Sequence, residues 1–112
     1  MAGISTQALS QRLQDSVAFT LLEVRKPQAL QSSGGQGLPG AQWLDPAHWL
    51  DWKDTVPIDQ PVVVYCAHGM EISQALTTAL SVMGRDAVYL TGGYGAWVEA
   101  GLPTETLPKP SS

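Results

Sequence analysis

The residue of this sequence whose surroundings most favour chemistry is its single cysteine, Cys66. It ends an apolar run, residues 61–65, and is followed by a short loop, residues 67–72, and by a helix-like stretch, residues 73–83. A cysteine between a strand and a helix N-terminus lies where backbone N–H groups converge. Such a site favours the thiolate, which is the reactive form of the side chain. The pattern therefore makes Cys66 a candidate nucleophile.

A purely structural role for Cys66 is the alternative interpretation. Free cysteine is among the most buried residue types and often packs as a small apolar side chain. Gly69, three residues further on, and the helix that follows the loop favour the nucleophile. These residues alone leave both roles open.

The numbers of cysteine and histidine exclude two other kinds of site. One cysteine cannot form an internal disulfide, and a four-ligand zinc site of the usual Cys/His type is not available. His48 and His68 are the only histidines, and no second ligand pair accompanies them in the sequence. We expect no metal and no cofactor.

Composition and charge narrow the classes of partner. The chain has 112 residues, of which 44% are hydrophobic and 14% charged, as is typical of one globular domain. A formal net charge of −4 without a Lys/Arg cluster predicts no nucleic-acid binding, because phosphates are repelled. No stretch is long enough to cross a membrane, and the first residues do not resemble a signal peptide. We therefore expect a protein of the reducing cytoplasm, where a free thiol persists.

The rest of the chain predicts the elements that position Cys66. We expect helices over residues 6–14, 73–83 and 94–100, a short helix from Asp45, strands over residues 17–24, 62–65 and 87–90, and a Gly-rich flexible loop over residues 31–40. Strands that alternate with helices predict an α/β domain, with a small, mainly parallel sheet flanked by helices. Sites in such sheets lie at the carboxyl ends of the strands, and Cys66 stands at one of these ends.

Four segments of the chain, taken in order, resemble those of a known family. They are residues 22–25 (LEVR), 38–41 (LPGA), 62–66 (VVVYC) and 88–97 (VYLTGGYGAW), the last followed by residues 100–103 (AGLP). Their order resembles the single-domain, rhodanese-like sulfurtransferases, in which the third segment delivers the active cysteine. The resemblance predicts a rhodanese-like domain over residues 1–104 and a flexible C-terminal tail over residues 105–112.

The resemblance also implies a mechanism and a set of site residues. Cys66 would attack the outer sulfur of a donor such as thiosulfate or a persulfide and would carry that sulfur as an enzyme persulfide. A thiophilic acceptor (cyanide, a small thiol or a protein thiol) would then remove it, since no second cysteine is present to resolve it. Backbone N–H groups of the loop would bind the anionic persulfide. The loop residues are Ala67, His68, Gly69, Met70, Glu71, Ile72 and Ser73.

The length of the loop separates two related chemistries. Counted from Cys66, it resembles the sulfur-transferring members and is one residue shorter than the loop of the related dual-specificity phosphatases. The arginine with which those phosphatases bind phosphate has no counterpart here. We therefore expect sulfur, and not phosphate or arsenate, to be the transferred or bound group.

Glu71 departs from the family pattern. Many active members carry arginine at this position, where its guanidinium binds an anionic donor. A nearby carboxylate instead disfavours both a thiolate and a thiosulfate anion. Ala67 likewise replaces a frequent basic or aromatic residue. The departure predicts weak thiosulfate activity, a less anionic or protein-borne donor, or a Glu71 side chain that points outward.

Three further side chains carry two interpretations each. His68 either assists the departing group or faces solvent. Glu71 is either a general base or a solvated carboxylate at the start of a helix. Arg25, at the end of a strand, is either a structural ion-pair residue or a supporting substrate ligand.

Two functions of other classes also stay open. A non-catalytic, rhodanese-like module that binds a partner protein would hold Cys66 as an unreactive thiol of ordinary pKa. An oxidation sensor would convert Cys66 to a sulfenic acid.

Overall fold

A five-stranded parallel sheet forms the centre of the domain. The structure, a computed structural model, describes residues 3–108. In chain order its elements are β1 (Gly3–Ile4), α1 (Thr6–Gln14), β2 (Thr20–Glu23), α2 (Pro27–Ser32), β3 (Gln36–Gly37), β4 (Gln42–Trp43), α3 (Trp49–Trp52), β5 (Val62–Tyr65), α4 (Glu71–Val82), β6 (Ala87–Leu90), α5 (Gly93–Glu99) and β7 (Glu105–Thr106). The strands of the main sheet lie in the order β1-β6-β5-β2-β4. The predicted fold class, α/β with a small, mainly parallel sheet flanked by helices, is confirmed.

Strand β5 lies in the middle of the sheet, and both of its faces are buried. Tyr65 packs with Trp97 of α5 in one hydrophobic cluster. Cys66, the next residue, packs with Leu80 of α4 in a second cluster. A parallel strand covered on both faces is expected to be a continuous apolar run, which is why residues 62–65 are recognisable in the sequence. The strand thus carries the chain from the core to the carboxyl edge of the sheet, where Cys66 stands.

Side-chain caps fix two helix starts where the sequence predicts them. Helix α1 has the predicted bounds, and the Ser5 hydroxyl accepts a hydrogen bond from the Ala8 N–H at 3.1 Å. The short helical segment after Asp45 is a 3-10 turn that continues into α3. There the Asp45 carboxylate accepts from the Ala47 N–H at 2.9 Å. Both caps satisfy N–H groups that a helix leaves unpaired at its start.

Helix α4 begins at Glu71, two residues before the predicted start. The Gln74 N–H donates to the Met70 carbonyl at 3.1 Å, and Met70 is the N-cap residue. A carboxylate in the first turn is favourable with the helix dipole, so Glu71 suits this position. Glu71 and Ile72 therefore belong to the helix, and the loop after Cys66 comprises residues 67–70.

The shortest strands are the ones that the sequence pattern does not show. Strands β1, β3, β4 and β7 have two residues each, too few for a recognisable alternation. Strand β2 is shorter than the predicted range 17–24, because its pairing with β5 begins at Thr20, opposite Val62.

The region predicted as a flexible loop, residues 31–40, is more ordered than expected. Helix α2, with Pro27 at its first position, extends into it, and β3 follows. The buried Arg25 side chain donates to the Ser33 hydroxyl at 3.1 Å and to the Gln36 carbonyl. The order therefore comes from a tertiary contact with a buried cation, which local composition does not reveal.

The structure places the described part of the predicted C-terminal tail against the domain. Strand β7 pairs antiparallel with β3, and the Gln36 side-chain amide donates to the Thr106 hydroxyl at 2.8 Å. Leu107 is buried in the same cluster as Tyr65. This apolar contact and the strand pairing hold residues 105–107 on the domain. Residues 109–112 of the predicted tail lie outside the described residues.

One buried hydroxyl of α4 offers a test of packing. Thr77 is fully buried, and its Oγ1 has no hydrogen-bond partner among the described residues. Thr77→Val keeps the shape of the side chain and removes the unpaired polar group, so we expect the variant to be about 1 kcal/mol more stable. Chemical denaturation of both proteins measures the difference, and a less stable variant would contradict the assignment.

Candidate active site

Cys66 lies at the base of a cavity at the carboxyl edge of the sheet. The residue is 6% exposed. The cavity has a volume of about 320 Å³. It is lined by Cys66, by the loop and helix residues Ala67, His68, Met70, Glu71 and Ile72, and by Arg25, Lys26 and Ala29 from the segment after β2. The end of β2 and the end of β5 thus meet at one site, as parallel neighbouring strands require.

Two glycines bring the loop after Cys66 against the turn after β6. Gly69 has φ +69°, and a Cβ there would lie 2.6 Å from the Leu90 carbonyl oxygen. Gly93 has φ +60°, and a Cβ there would overlap the Cys66 carbonyl oxygen. Both positions need a left-handed backbone without a side chain. The two backbones are consequently packed directly on each other.

Hydrogen bonds from the surrounding elements take up the carbonyl groups of the loop. The first turn of α5 supplies two of them, from Tyr94 N–H to the Cys66 carbonyl and from Gly95 N–H to the Ala67 carbonyl, both at 2.9 Å. The Gln74 side-chain amide donates to the Gly69 carbonyl at 2.8 Å. With these carbonyls engaged elsewhere, the loop presents its N–H groups to the cysteine. The N–H groups of His68 and Met70 in the loop, and that of Ser73 in the first turn of α4, act on the Cys66 sulfur as hydrogen-bond donors that lower the pKa of its thiol.

These contacts set the protonation of Cys66. Burial is the largest single influence and raises the pKa of the thiol. The Ser73 hydroxyl and the N–H groups of Ser73, His68 and Met70 act in the opposite direction, and together they hold the pKa of Cys66 below its ordinary value. A larger share of the side chain is therefore thiolate near neutral pH, which is the form that attacks a sulfur donor.

Ser73 contributes its hydroxyl as well as its backbone. It is fully buried, and its Oγ lies 3.1 Å from Cys66 Sγ. Sequence reasoning assigned Ser73 only a place in the loop and missed this contact. The sequence order could have indicated this contact, because a residue in the first turn of a helix that directly follows a strand and a short loop can face the end of that strand, where Cys66 lies.

The side chains of Glu71 and His68 are both exposed. Glu71 lies at the wall of the cavity and has no ion-pair partner among residues 3–108. The His68 ring lies against the α5 backbone, since a Cβ at Gly95 would be 3.2 Å from its Nδ1. The solvent-facing interpretation of His68 and the helix-start interpretation of Glu71 agree with these positions.

Arg25 is buried, and its donors are engaged by protein groups. Its Nε donates to Glu23 Oε1 at 2.8 Å, and the guanidinium also lies over the Tyr94 ring, 4.0 Å from the ring centroid. Together with the bonds to Ser33 and Gln36, these contacts match a structural ion-pair residue. Arg25 thus links the end of β2 to the α5 turn that holds the Cys66 carbonyl.

Beneath the site lies a buried polar group that sequence reasoning missed. Burial raises the pKa of the Glu23 carboxyl, although the Tyr65 hydroxyl and the Arg25 guanidinium act to lower it. Burial and the neighbouring Glu23 carboxylate also raise the pKa of the Tyr65 phenol. The Tyr65 hydroxyl accepts from the Leu38 N–H at 3.1 Å. Glu23 and Tyr65 each lie in a largely apolar strand, and the sequence does not indicate that they are hydrogen-bond partners.

Lys26 is a second residue of the cavity that sequence reasoning did not select. It follows Arg25, is exposed and lies at the cavity wall with Glu71.

Within the described part of the chain, no group of three or more His, Cys, Asp or Glu side chains is placed to hold a metal ion. Across residues 3–108, no helix has the length and apolar character needed to span a bilayer.

Similarity to known proteins agrees with this geometry. Residues 5–100 match the family model of the rhodanese-like domain. Thiosulfate sulfurtransferase GlpE of Actinobacillus succinogenes is 38% identical over 87 residues, which cover 77% of this chain and 75% of that protein. A sulfurtransferase of Allochromatium vinosum is 33% identical, with 89% and 91% of the two chains covered. The crystal structure of a rhodanese-related protein from Thermoplasma volcanium superposes with a TM-score of 0.81 at 25% identity, covering 95% of this chain and 99% of that one.

The chain belongs to the rhodanese-like family and is a rhodanese-type transferase.

Proposed function

We propose that this protein transfers sulfane sulfur through a persulfide on Cys66. The observation that carries the proposal is the convergence of one side-chain hydroxyl and three backbone N–H groups on a cysteine at the base of an open cavity. In the first step the Cys66 thiolate attacks the outer sulfur of thiosulfate. A bond forms between Sγ and that sulfur, the bond to the sulfonate sulfur breaks, and sulfite departs with the electron pair.

The second step returns the enzyme to its starting state. An acceptor such as cyanide or a thiolate attacks the outer sulfur of the persulfide. The bond between the two sulfurs of the persulfide breaks, and its electron pair returns to Cys66 Sγ as a thiolate. The acceptor must come from outside, because the chain has no second cysteine. Cyanide would leave as thiocyanate, and a thiol would leave as a persulfide.

The loop supplies the binding site for the persulfide in this scheme. We expect residues 67–73, which form the loop and the first turn of α4, to bind it, since the N–H groups of His68, Met70 and Ser73 that act on Sγ also favour a negative charge on the sulfur attached to it. No cofactor takes part in the proposed steps. The lowered pKa of Cys66 supports an enzyme over a non-catalytic binding module, for which an ordinary thiol would suffice.

A steady-state assay of thiocyanate formation from thiosulfate and cyanide tests the proposal. Two successive transfers through one covalent intermediate predict parallel double-reciprocal lines, the signature of ping-pong kinetics. Intersecting lines would mean that both substrates must be bound together and would contradict the persulfide intermediate.

The charges at the cavity wall should set the affinity for an anionic donor. Glu71→Arg replaces a repulsive charge with an attractive one, so we expect the KM for thiosulfate to fall by about fivefold or more, with a smaller change in kcat. Lys26→Gln should raise the same KM by about threefold. Initial rates over a range of thiosulfate concentrations measure both effects.

Asp86→Arg is the matched control for charge. Asp86 is exposed and precedes β6, at the opposite edge of the sheet from Cys66, so its replacement changes the net charge equally without altering the cavity. An equal fall in KM in this variant would show that net charge, and not the local carboxylate, governs donor binding.

We also propose a cytoplasmic location. Cys66 must be available as a thiol at the start of each cycle, and a reducing compartment keeps it so. Fractionation of cells with an antibody against the protein tests this location.

A further inference from the structure

The Ser73 hydroxyl faces two groups that can each accept its single hydrogen. Its Oγ lies 3.1 Å from Cys66 Sγ and 3.5 Å from the Met70 carbonyl oxygen. Ser73 is fully buried, so its hydrogen-bond needs are met within the protein. A serine hydroxyl donates only one hydrogen bond, and it therefore serves one of these acceptors at a time.

We propose that Ser73 is a catalytic residue whose hydroxyl turns between the Met70 carbonyl and Cys66 Sγ according to the charge on the sulfur. This inference rests on the proposed sulfur transfer through Cys66. When Cys66 is a thiol, its S–H donates to Ser73 Oγ, and the hydroxyl donates to Met70. When Cys66 is a thiolate, the hydroxyl turns and donates to Sγ. Hydrogen bonds to a charged atom are the stronger kind, which favours this turn.

The hydroxyl would act in both steps of the reaction. In the first step Sγ is a thiolate before the attack and becomes neutral once it is bonded to the donor sulfur, so the hydroxyl returns to Met70. In the second step the bond between the two sulfurs breaks and Sγ regains its negative charge as the leaving group. The hydroxyl then turns back and stabilises that charge. Ser73 thus supports the same atom as nucleophile and as leaving group.

The position of Ser73 in α4 suits this role. The residue lies in the first turn of the helix, and its N–H also donates to Cys66. One residue therefore offers Sγ a fixed backbone donor and a donor that can turn away. Thr77, one turn later and equally buried, has no hydrogen-bond partner for its hydroxyl among the described residues and serves as a comparison.

The pH dependence of Cys66 alkylation by iodoacetamide, without any sulfur donor, tests the proposal. Ser73→Ala should move the midpoint of the rate profile upward by about one pH unit, so that the rate well below the midpoint falls about tenfold. The rate at high pH, where all of the cysteine is thiolate, should stay within about twofold of the original protein, because no donor is needed to form the anion there. Thr77→Val should leave the midpoint unchanged.

Further variants separate the hydroxyl from packing. Ser73→Thr keeps the hydroxyl and should keep the midpoint near that of the original protein. Ser73→Gly also lacks the hydroxyl and provides the same test if the alanine variant does not fold. An unchanged midpoint in the variants without the hydroxyl would overturn the proposal, as would a lower rate at all pH values without a shift.

The alkylation profile and a separate measurement of sulfur uptake by mass spectrometry together distinguish this inference from the proposed function. If Cys66 accepts no sulfur from any donor but the midpoint still moves in Ser73→Ala, the proposed sulfur transfer is wrong, and the hydrogen bond from Ser73 to the thiolate is supported. If sulfur is transferred and the midpoint does not move, only the role of Ser73 is wrong.

Discussion

Cys66→Ser should reduce sulfur transfer from thiosulfate to cyanide to background, a loss of about 10⁴-fold or more in kcat/KM. A serine hydroxyl is almost entirely protonated near neutral pH, and it cannot accept and release a sulfur atom as a thiolate does. The fold should persist, since serine differs from cysteine by one atom and can keep a hydrogen bond to Ser73, which lies 3.1 Å from the cysteine sulfur. Thiocyanate formation and thermal unfolding measure the two effects.

Thr77→Val is the control for this variant. Thr77 is a buried residue of α4, the helix whose Leu80 packs in the same hydrophobic cluster as Cys66, and its replacement leaves the sulfur in place. It should keep full activity. Substantial activity in folded Cys66→Ser would refute covalent transfer altogether, since the chain holds no other thiol to take over the role.

Gly93→Ala should be the most damaging substitution outside the cysteine itself. A side chain at this position must adopt φ +60°, which costs about 1–2 kcal/mol. It must also displace the Cys66 carbonyl and the loop N–H groups of His68 and Gly69, which lie where its Cβ would be. We expect a loss of about 3 kcal/mol or more in the free energy of unfolding. Activity should fall by at least about tenfold, because the displaced N–H groups of the loop would no longer be oriented toward Sγ.

Gly34→Ala is a matched control for backbone strain. Gly34 has φ +67°, close to that of Gly93, but a Cβ there meets no heavy atom of the described residues within 4 Å. The variant should lose only about 1–2 kcal/mol and keep its activity. Equal losses in the two variants, measured by denaturation, would show that strain alone matters and that the close packing of the loop on the α5 turn does not.

The sequence allowed the position of Cys66 to be predicted because every signal for it is local. An apolar run, a glycine-containing loop and an amphipathic helix follow one another within residues 61–83. Strand β5 and the first turns of α4 and α5 appear close to their predicted places for the same reason. Helix caps such as Ser5 are equally local and were equally visible.

The parts that could not be predicted depend on residues far apart in the chain. Strand β7 forms because it pairs with β3, and the Gln36–Thr106 hydrogen bond joins residues separated by 70 positions. Two-residue strands carry no periodic pattern, and their pairing is known only once the domain has closed. The order of residues 31–37 likewise depends on Arg25, whose partners follow at distances of eight and eleven residues.

The chemical details of the site divide in the same way. Backbone donors around Cys66 follow from the strand–loop–helix order, but the Ser73 hydroxyl depends on where α4 begins, which the pattern placed two residues late. Lys26 enters the cavity wall through the meeting of β2 and β5, a contact between neighbouring strands rather than neighbouring residues. The local sequence therefore indicated neither the contact of Ser73 with the sulfur nor the place of Lys26 at the cavity wall.

Intact-protein mass spectrometry after incubation with thiosulfate, and separately with glutathione persulfide, tests the central claim most directly. The account predicts a gain of one sulfur atom that disappears on treatment with cyanide and is absent in Cys66→Ser. The relative yields from the two donors show which of them the cavity accepts. A protein of unchanged mass with every donor, while the thiol is free and the fold intact, would contradict transfer through a Cys66 persulfide.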